Sequence, residues 1–170
     1  FNVIGGLHNG WRVTMTTLGN ERGGNATTQH VQYTKQFWDA VELTRKYGHD
    51  SDPLVRQQLA WAYTHCEIMR FQGLRLLSEV VAKKEPGPAS ALNKMFWSEY
   101  HQEVMALALD VLGPAAQVLG GSGAEETVPG YGRRVTAGDY PASALQSSFF
   151  FSRSETIWGG TAQIQRNIVG

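Results

Sequence analysis

Asp52-Pro53-Leu54-Val55-Arg56-Gln57-Gln58-Leu59-Ala60-Trp61-Ala62-Tyr63-Thr64-His65-Cys66-Glu67-Ile68-Met69-Arg70-Phe71-Gln72-Gly73-Leu74-Arg75-Leu76-Leu77-Ser78-Glu79-Val80 is the stretch that decides the fold class. Val55, Leu59, Ala62, Cys66, Met69, Gly73, Leu76 and Val80 recur at spacings of 4-3-4-3-4-3-4. That rhythm returns a small or apolar side chain to one side of a helix at every turn, and it is the seam of a helix bundle. The start is marked too: Asp52 can cap the first turn, and Pro53 suits the first helical position, where its missing N–H costs nothing.

Working outward, three more helical blocks appear between Gly/Pro breaks. Upstream, a block follows Asn9-Gly10 and is expected to run as one helix from Trp11 to about Tyr47, where Gly48 ends it. Trp11, Met15 and Leu18, then Val31, Trp38 and Val41, make its expected apolar stripe. Between them lies Gly19-Asn20-Glu21-Arg22-Gly23-Gly24-Asn25, whose glycines cost a helix ~1 kcal/mol each against alanine. Their presence there points to something approaching the backbone closely. Downstream of Glu85-Pro86-Gly87-Pro88, a third block covers about Ala89 to Leu112, with Leu92, Phe96, Val104, Leu107 and Val111 on one face. Gly113-Pro114 then reads as a kink. A glycine- and charge-rich loop runs from Gly120 to Asp139, a short helix is expected from Pro141 through Phe151, and a last turn opens at Thr161. Long helices joined by short loops, without a strictly alternating run, make an all-α, antiparallel four-helix bundle. Phe149-Phe150-Phe151 is too apolar for an open surface and is expected in the core or across a subunit boundary.

Composition narrows the function classes. Fifteen basic residues balance 15 acidic ones, so no basic footprint marks a nucleic-acid binder. No apolar run reaches the roughly 20 residues of a membrane span, and a soluble, cytoplasmic protein is expected. The lone Cys66 excludes an internal disulfide. His8, His30, His49, His65 and His101 lack the spacing of a metal site and read as surface or satisfied structural histidines. The chain opens in mid-phrase at Phe1-Asn2-Val3-Ile4-Gly5-Gly6, so 1–10 reads as a linker and 11–170 as the bundle domain.

Four local motifs fall in a consistent order. Asn2-Val3-Ile4-Gly5 with Asn9-Gly10-Trp11 leads into the first block; Arg45 is followed after a loop by Arg56-Gln57-Gln58. Gln117-Val118-Leu119-Gly120-Gly121-Ser122-Gly123 follows the third block. Trp158-Gly159-Gly160-Thr161-Ala162-Gln163-Ile164-Gln165-Arg166-Asn167 sets a Gly-Gly turn before an amphipathic helix opened by threonine. Together these resemble the C-terminal helical domain of the acyl-CoA dehydrogenases, flavoenzymes that put an α,β double bond into acyl-CoA thioesters.

The resemblance implies FAD as cofactor, an acyl-CoA substrate and electron-transfer flavoprotein or a similar acceptor as partner. It also implies a homo-oligomer, dimer or tetramer, with a β-domain and an N-terminal helical domain upstream. Much of the family carries its catalytic base where this chain has Gly159. A thioester α-proton is too weakly acidic to leave without a positioned carboxylate in a dry site. In the isovaleryl-CoA and long-chain subgroup, a glutamate directly before an arginine on the first long helix serves, and Glu21-Arg22 matches that pair. The resemblance therefore makes Glu21 the base, with Glu155 as its rival four residues before Gly159. It places Asn20, Arg22 and Gly160 on the substrate, and Arg45, Gln58, Gln117, Gly120, Gly121, Trp158, Thr161 and Gln163 on the flavin. Alternatives are a non-catalytic subunit of a hetero-oligomeric enzyme acting on steroid side-chain thioesters, an acyl-CoA oxidase, or a helical interaction module. A silent subunit has no need to keep Glu21.

Overall fold

The computed structural model describes residues 3–24, 26–84, 89–117 and 144–170, and at 19–24, 89–90 and 144 it describes the backbone alone. The elements are α1 (Gly10–Gly24), α2 (Gln29–Lys46), α3 (Pro53–Val81), α4 (Ala89–Leu112), a 3₁₀ helix (Gly113–Gln117), α5 (Ala144–Glu155) and α6 (Ala162–Val169). No strand occurs among the described residues.

The seam helix forms as its spacing predicts. Asp52 caps α3, its Oδ1 accepting from the Leu54 N–H at 2.8 Å, with Pro53 opening the helix. Ala62, Cys66, Met69, Gly73 and Leu76 are buried, and Val55 and Leu59 pack half-buried against the core. The seam frays at its end, where Val80 is exposed. Cross-links give the topology. Phe37 meets Tyr63, and Gly73 meets Ala26, so α2 and α3 run antiparallel. Trp61 stacks on Tyr100 and His65 on Phe96, so α4 reverses again, and Cys66 Sγ contacts Tyr100 Oη at 3.0 Å. Gln102 bonds the Ser152 carbonyl while Gln146 bonds that of Ala116, so α5 reverses once more. The result is an up-down-up-down bundle of α2, α3, α4 and α5.

At its centre lies α4. Ala91, Trp97, Tyr100, Val104, Met105, Leu107, Ala108, Val111 and Leu112 are buried around most of its circumference. Leu92, expected on its core face, is exposed, and Phe96 is half-buried. Gly113 (φ +57°) passes α4 into the 3₁₀ helix, the kink expected at Gly113-Pro114. Tyr33 joins the helices through rings, stacking on Trp97 and meeting Tyr100 edge-on.

Block one departs from its expected form. It is two helices, broken between Gly24 and Gln29. Its expected stripe holds only at Leu18 and Val41, which are half-buried, Val41 against the core, whereas Trp11 (77%), Val31 (63%) and Trp38 (51%) are exposed, as is Met15. The buried face of α2 is instead Gln29, Tyr33, Gln36, Phe37, Ala40, Leu43 and Thr44. Three of those seven are polar, which hid the face from a hydrophobicity pattern. Each finds a partner: Gln29 accepts from Asn93 Nδ2 at 3.1 Å, Gln36 meets His101, and Thr44 donates to the Val41 carbonyl at 2.7 Å. Gly73 explains the seating of the break, since a Cβ there would lie 2.9 Å from the Ala26 carbonyl oxygen.

The short fourth helix spans Ala144–Glu155, beyond the expected end at Phe151; Pro141 and the loop from Gly120 to Asp139 lie outside the described residues. Phe149 packs against the core, whereas Phe150 is exposed.

Candidate functional site

The Gly159-Gly160 turn joins the end of α5 to α6, beside the first turns of α4. Both glycines have left-handed φ, +67° and +92°, where a side chain is disfavoured. Gly160 is also short of space, because a Cβ would come within 2.7 Å of Gln165 Nε2. The two carbonyls point inward. Lys94 Nζ donates to the Gly160 oxygen at 2.8 Å, and Gln165 Nε2 donates to the Gly159 oxygen at 2.8 Å. Thr161 caps α6, its hydroxyl accepting from the Ile164 N–H.

Beneath the turn lies a buried polar chain. Glu155 and His101 are both fully enclosed, with Oε2 and Nδ1 2.5 Å apart. On the ring's other side, Gln36 Nε2 approaches His101 Nε2 at 3.5 Å. With that nitrogen accepting from the amide, Nδ1–H is the donor to Glu155; the tautomer follows from this network. Glu155 Oε1 has no hydrogen-bond partner. Lys94 is only 6% exposed. Burial lowers its pKa from the ordinary lysine value, while the charges of Glu155 and Glu99 pull it back up.

Trp158 leans on this floor, its ring near those of Trp97 and Phe151, its indole N–H donating to Ser154 Oγ at 3.1 Å. Outside, Arg166 of α6 reaches Glu99 of α4 at 3.6 Å.

The expected site residues divide into two groups. Asn20, Glu21 and Arg22 lie in the last turns of α1, where the backbone alone is described. The junction after them, at Ala26, lines a small cavity with Leu92 and Asn93 of α4. Gly160 contacts the next residue, Lys94, so the end of α1 and the Gly-Gly turn share one end of the bundle. Trp158, Thr161 and Gln163 belong to that end too. Arg45 sits at the opposite end, exposed in the last turn of α2, in a depression shared with Asp50 and Arg56. Gln117 is exposed there as well, at the close of the 3₁₀ helix. At 1.5 Å per residue, the length of α4 holds the two ends roughly 30 Å apart. Gln58 lies between them in a groove with Trp61, Glu99, Glu103 and Leu107. Gly120 and Gly121 lie outside the described residues.

Sequence reasoning missed Lys94, Gln165 and the His101–Glu155 pair as parts of this site. One signal was available for Lys94: it stands in Ala91-Leu92-Asn93-Lys94-Met95-Phe96, with serines, not carboxylates, four residues to either side. No cluster of metal-ligating residues, and no helix long and apolar enough to cross a membrane, occurs among the described residues.

Residues 8–170 match the family described as acyl-CoA dehydrogenase, C-terminal domain. The chain is 34% identical over 167 residues to acyl-CoA dehydrogenase IpdE1 of Mycobacterium tuberculosis, covering 98% of this chain and 38% of that protein. It is 32% identical to the IpdE1 of Mycolicibacterium smegmatis, covering 37% of it. The chain thus spans well under half the length of these relatives. Among solved structures, the Tcur3481-Tcur3483 steroid ACAD superposes with a TM-score of 0.71 at 22% identity, over 97% of this chain and 39% of that one. Its G363A variant gives 0.67 at 23%, over 94% and 38%. At such identities the likeness is one of fold.

Proposed function

The chain belongs to the acyl-CoA dehydrogenase family, of which it carries the C-terminal domain, and on that premise we propose that it works in an FAD-dependent α,β-dehydrogenation of an acyl-CoA thioester with Glu21 as the base. The observation that carries this reading is the state of Glu155, the other carboxylate near Gly159. It is fully enclosed and bonded to His101, so it has no path to a substrate outside the bundle. Gly159 offers no acid or base, and the junction that follows α1, at Ala26, lies by Leu92 and Asn93 of α4, next to the Lys94 that holds the Gly-Gly turn. A glutamate in the last turns of α1 is therefore the carboxylate best placed to take an α-proton there.

The described residues fit a flavin on two counts. The turn leads into the Thr161-capped N-terminus of α6, a polar environment that favours anionic groups. Thr161 and Gln163 flank it, while Arg45 and Gln117 stand at the far end of the bundle. One cofactor does not span that separation along α4, which favours a second copy or second subunit completing each site. FAD, when bound, supplies the acceptor for the β-hydrogen and its electron pair. Asn20, Arg22 and Gly160 line the thioester side, Trp158 covers it, and the acceptor of the electrons is electron-transfer flavoprotein or a similar carrier.

A second reading has its own support. The two solved structures of like fold carry the name steroid ACAD, which pairs two designations, Tcur3481 and Tcur3483. By analogy, this chain belongs to a hetero-oligomer acting on a steroid thioester. Glu21→Gln in the assembled flavoprotein separates the readings, because it keeps shape and removes the base. Flavin bleaching by acyl-CoA under anaerobic conditions should fall by ~10²–10⁴-fold, the usual contribution of a positioned acid or base, with FAD still bound. Wild-type bleaching in that variant would assign the base to another chain.

A further inference from the structure

We propose that Lys94 and Gln165 are positioning residues which lock the Gly159-Gly160 turn against the reacting end of the thioester. This inference rests on the dehydrogenase reading above. The turn has little conformational preference of its own, since two glycines at positive φ are the freest residues a chain has. Its geometry is imposed from outside by donors on two different helices, Lys94 on α4 to the Gly160 carbonyl and Gln165 on α6 to that of Gly159 and, at 3.5 Å, to that of Gly160. Both side chains are buried, Gln165 completely.

The choice of lysine is what calls for a function. A peptide carbonyl at the rim of a bundle is satisfied by water or by a neutral side chain at little cost. Burying an ammonium group there is expensive, and this one is kept by the nearby Glu155 charge, itself bonded to His101. The arrangement makes the turn rigid where rigidity has no packing role, because glycines bring no side chain to the core. With both carbonyls held, the orientation of the peptide planes in the turn is fixed.

The test uses the flavin-loaded enzyme containing this domain, with Lys94→Met (no donor), Lys94→Gln (similar size, neutral, donor kept) and Gln165→Leu. Two readouts are taken: amide hydrogen exchange of the 157–165 segment without substrate, and single-turnover flavin reduction against the KM for acyl-CoA. In Lys94→Met and Gln165→Leu, exchange should quicken at least about tenfold. Reduction should slow about 10²-fold, as for a misplacement of ~1 Å, with FAD content and KM little changed. Lys94→Gln should recover most of both losses. Wild-type exchange or reduction in Lys94→Met and Gln165→Leu overturns the proposal. So does equal damage from Met and Gln at Lys94, or loss of folded flavoprotein in both donorless variants, since either outcome makes the contacts merely structural. If the wild-type enzyme itself is not reduced by acyl-CoA, the dehydrogenase reading fails, while hydrogen exchange still reports whether the two donors hold the turn.

Discussion

His101→Leu is the change whose cost the structure specifies most directly. The imidazole and the Glu155 carboxyl are both at 0% exposure, 2.5 Å apart, and Glu155 Oε1 has no other donor. Removing the ring leaves a buried carboxyl with neither water nor a hydrogen bond. Breaking one side of such a pair costs about 3–5 kcal/mol, against a total stability of roughly 5–15 kcal/mol for a domain. At about 2–4 °C per kcal/mol for this size, the melting temperature should drop by roughly 6–20 °C. Glu155→Gln should cost less, about 1–2 kcal/mol, because the amide oxygen still accepts from Nδ1–H. The double variant His101→Leu/Glu155→Leu removes both polar groups together and should be more stable than the sum of its single changes by about 1–3 kcal/mol. Urea unfolding followed by circular dichroism measures all of these. A His101→Leu cost under about 1 kcal/mol, or additivity within about 0.5 kcal/mol, would refute the reasoning.

Two further outcomes follow from single positions. Gly73→Ala gains ~1 kcal/mol of helix propensity but drives a methyl to 2.9 Å from the Ala26 carbonyl. Overpacking against backbone costs about 1–3 kcal/mol, so urea unfolding should show net destabilisation; a stabilised variant would mean that the α1–α2 junction yields freely. Burial pushes the Cys66 thiol from 9.0 up to about 11. Above pH 9 the unfolded chain gives up that proton while the folded one keeps it, so stability is full below pH 9 and declines as pH rises towards 11. The slope should approach 1.4 kcal/mol per pH unit. Cys66→Ala should flatten the profile between pH 9 and 10 in chemical unfolding, and an unchanged slope would contradict the burial of the thiol.

Periodicity alone made α3 and its inward face legible, because a seam of small and apolar residues at alternating spacings has no other stable form than a helix against helices. Local chemistry likewise marked the ends: Asp52-Pro53 opens α3, Gly48 follows α2, and Thr161 caps α6 through contacts within a few residues. Residue types also ruled out a disulfide and pointed to the turn at Gly159-Gly160. The break in block one and the true face of α2 were not legible. Gln29, Gln36 and Thr44 read as surface residues until Asn93, His101 and the Val41 carbonyl supply their partners, and two of those three lie more than sixty residues away. Glu155 shows the same limit from the other side. In the sequence it is a carboxylate four residues from Gly159 and a rival base; in the fold His101 encloses it. A helical period records which side chains share a face, but a polar side chain's role depends on what faces it, and that is decided only when distant helices pack.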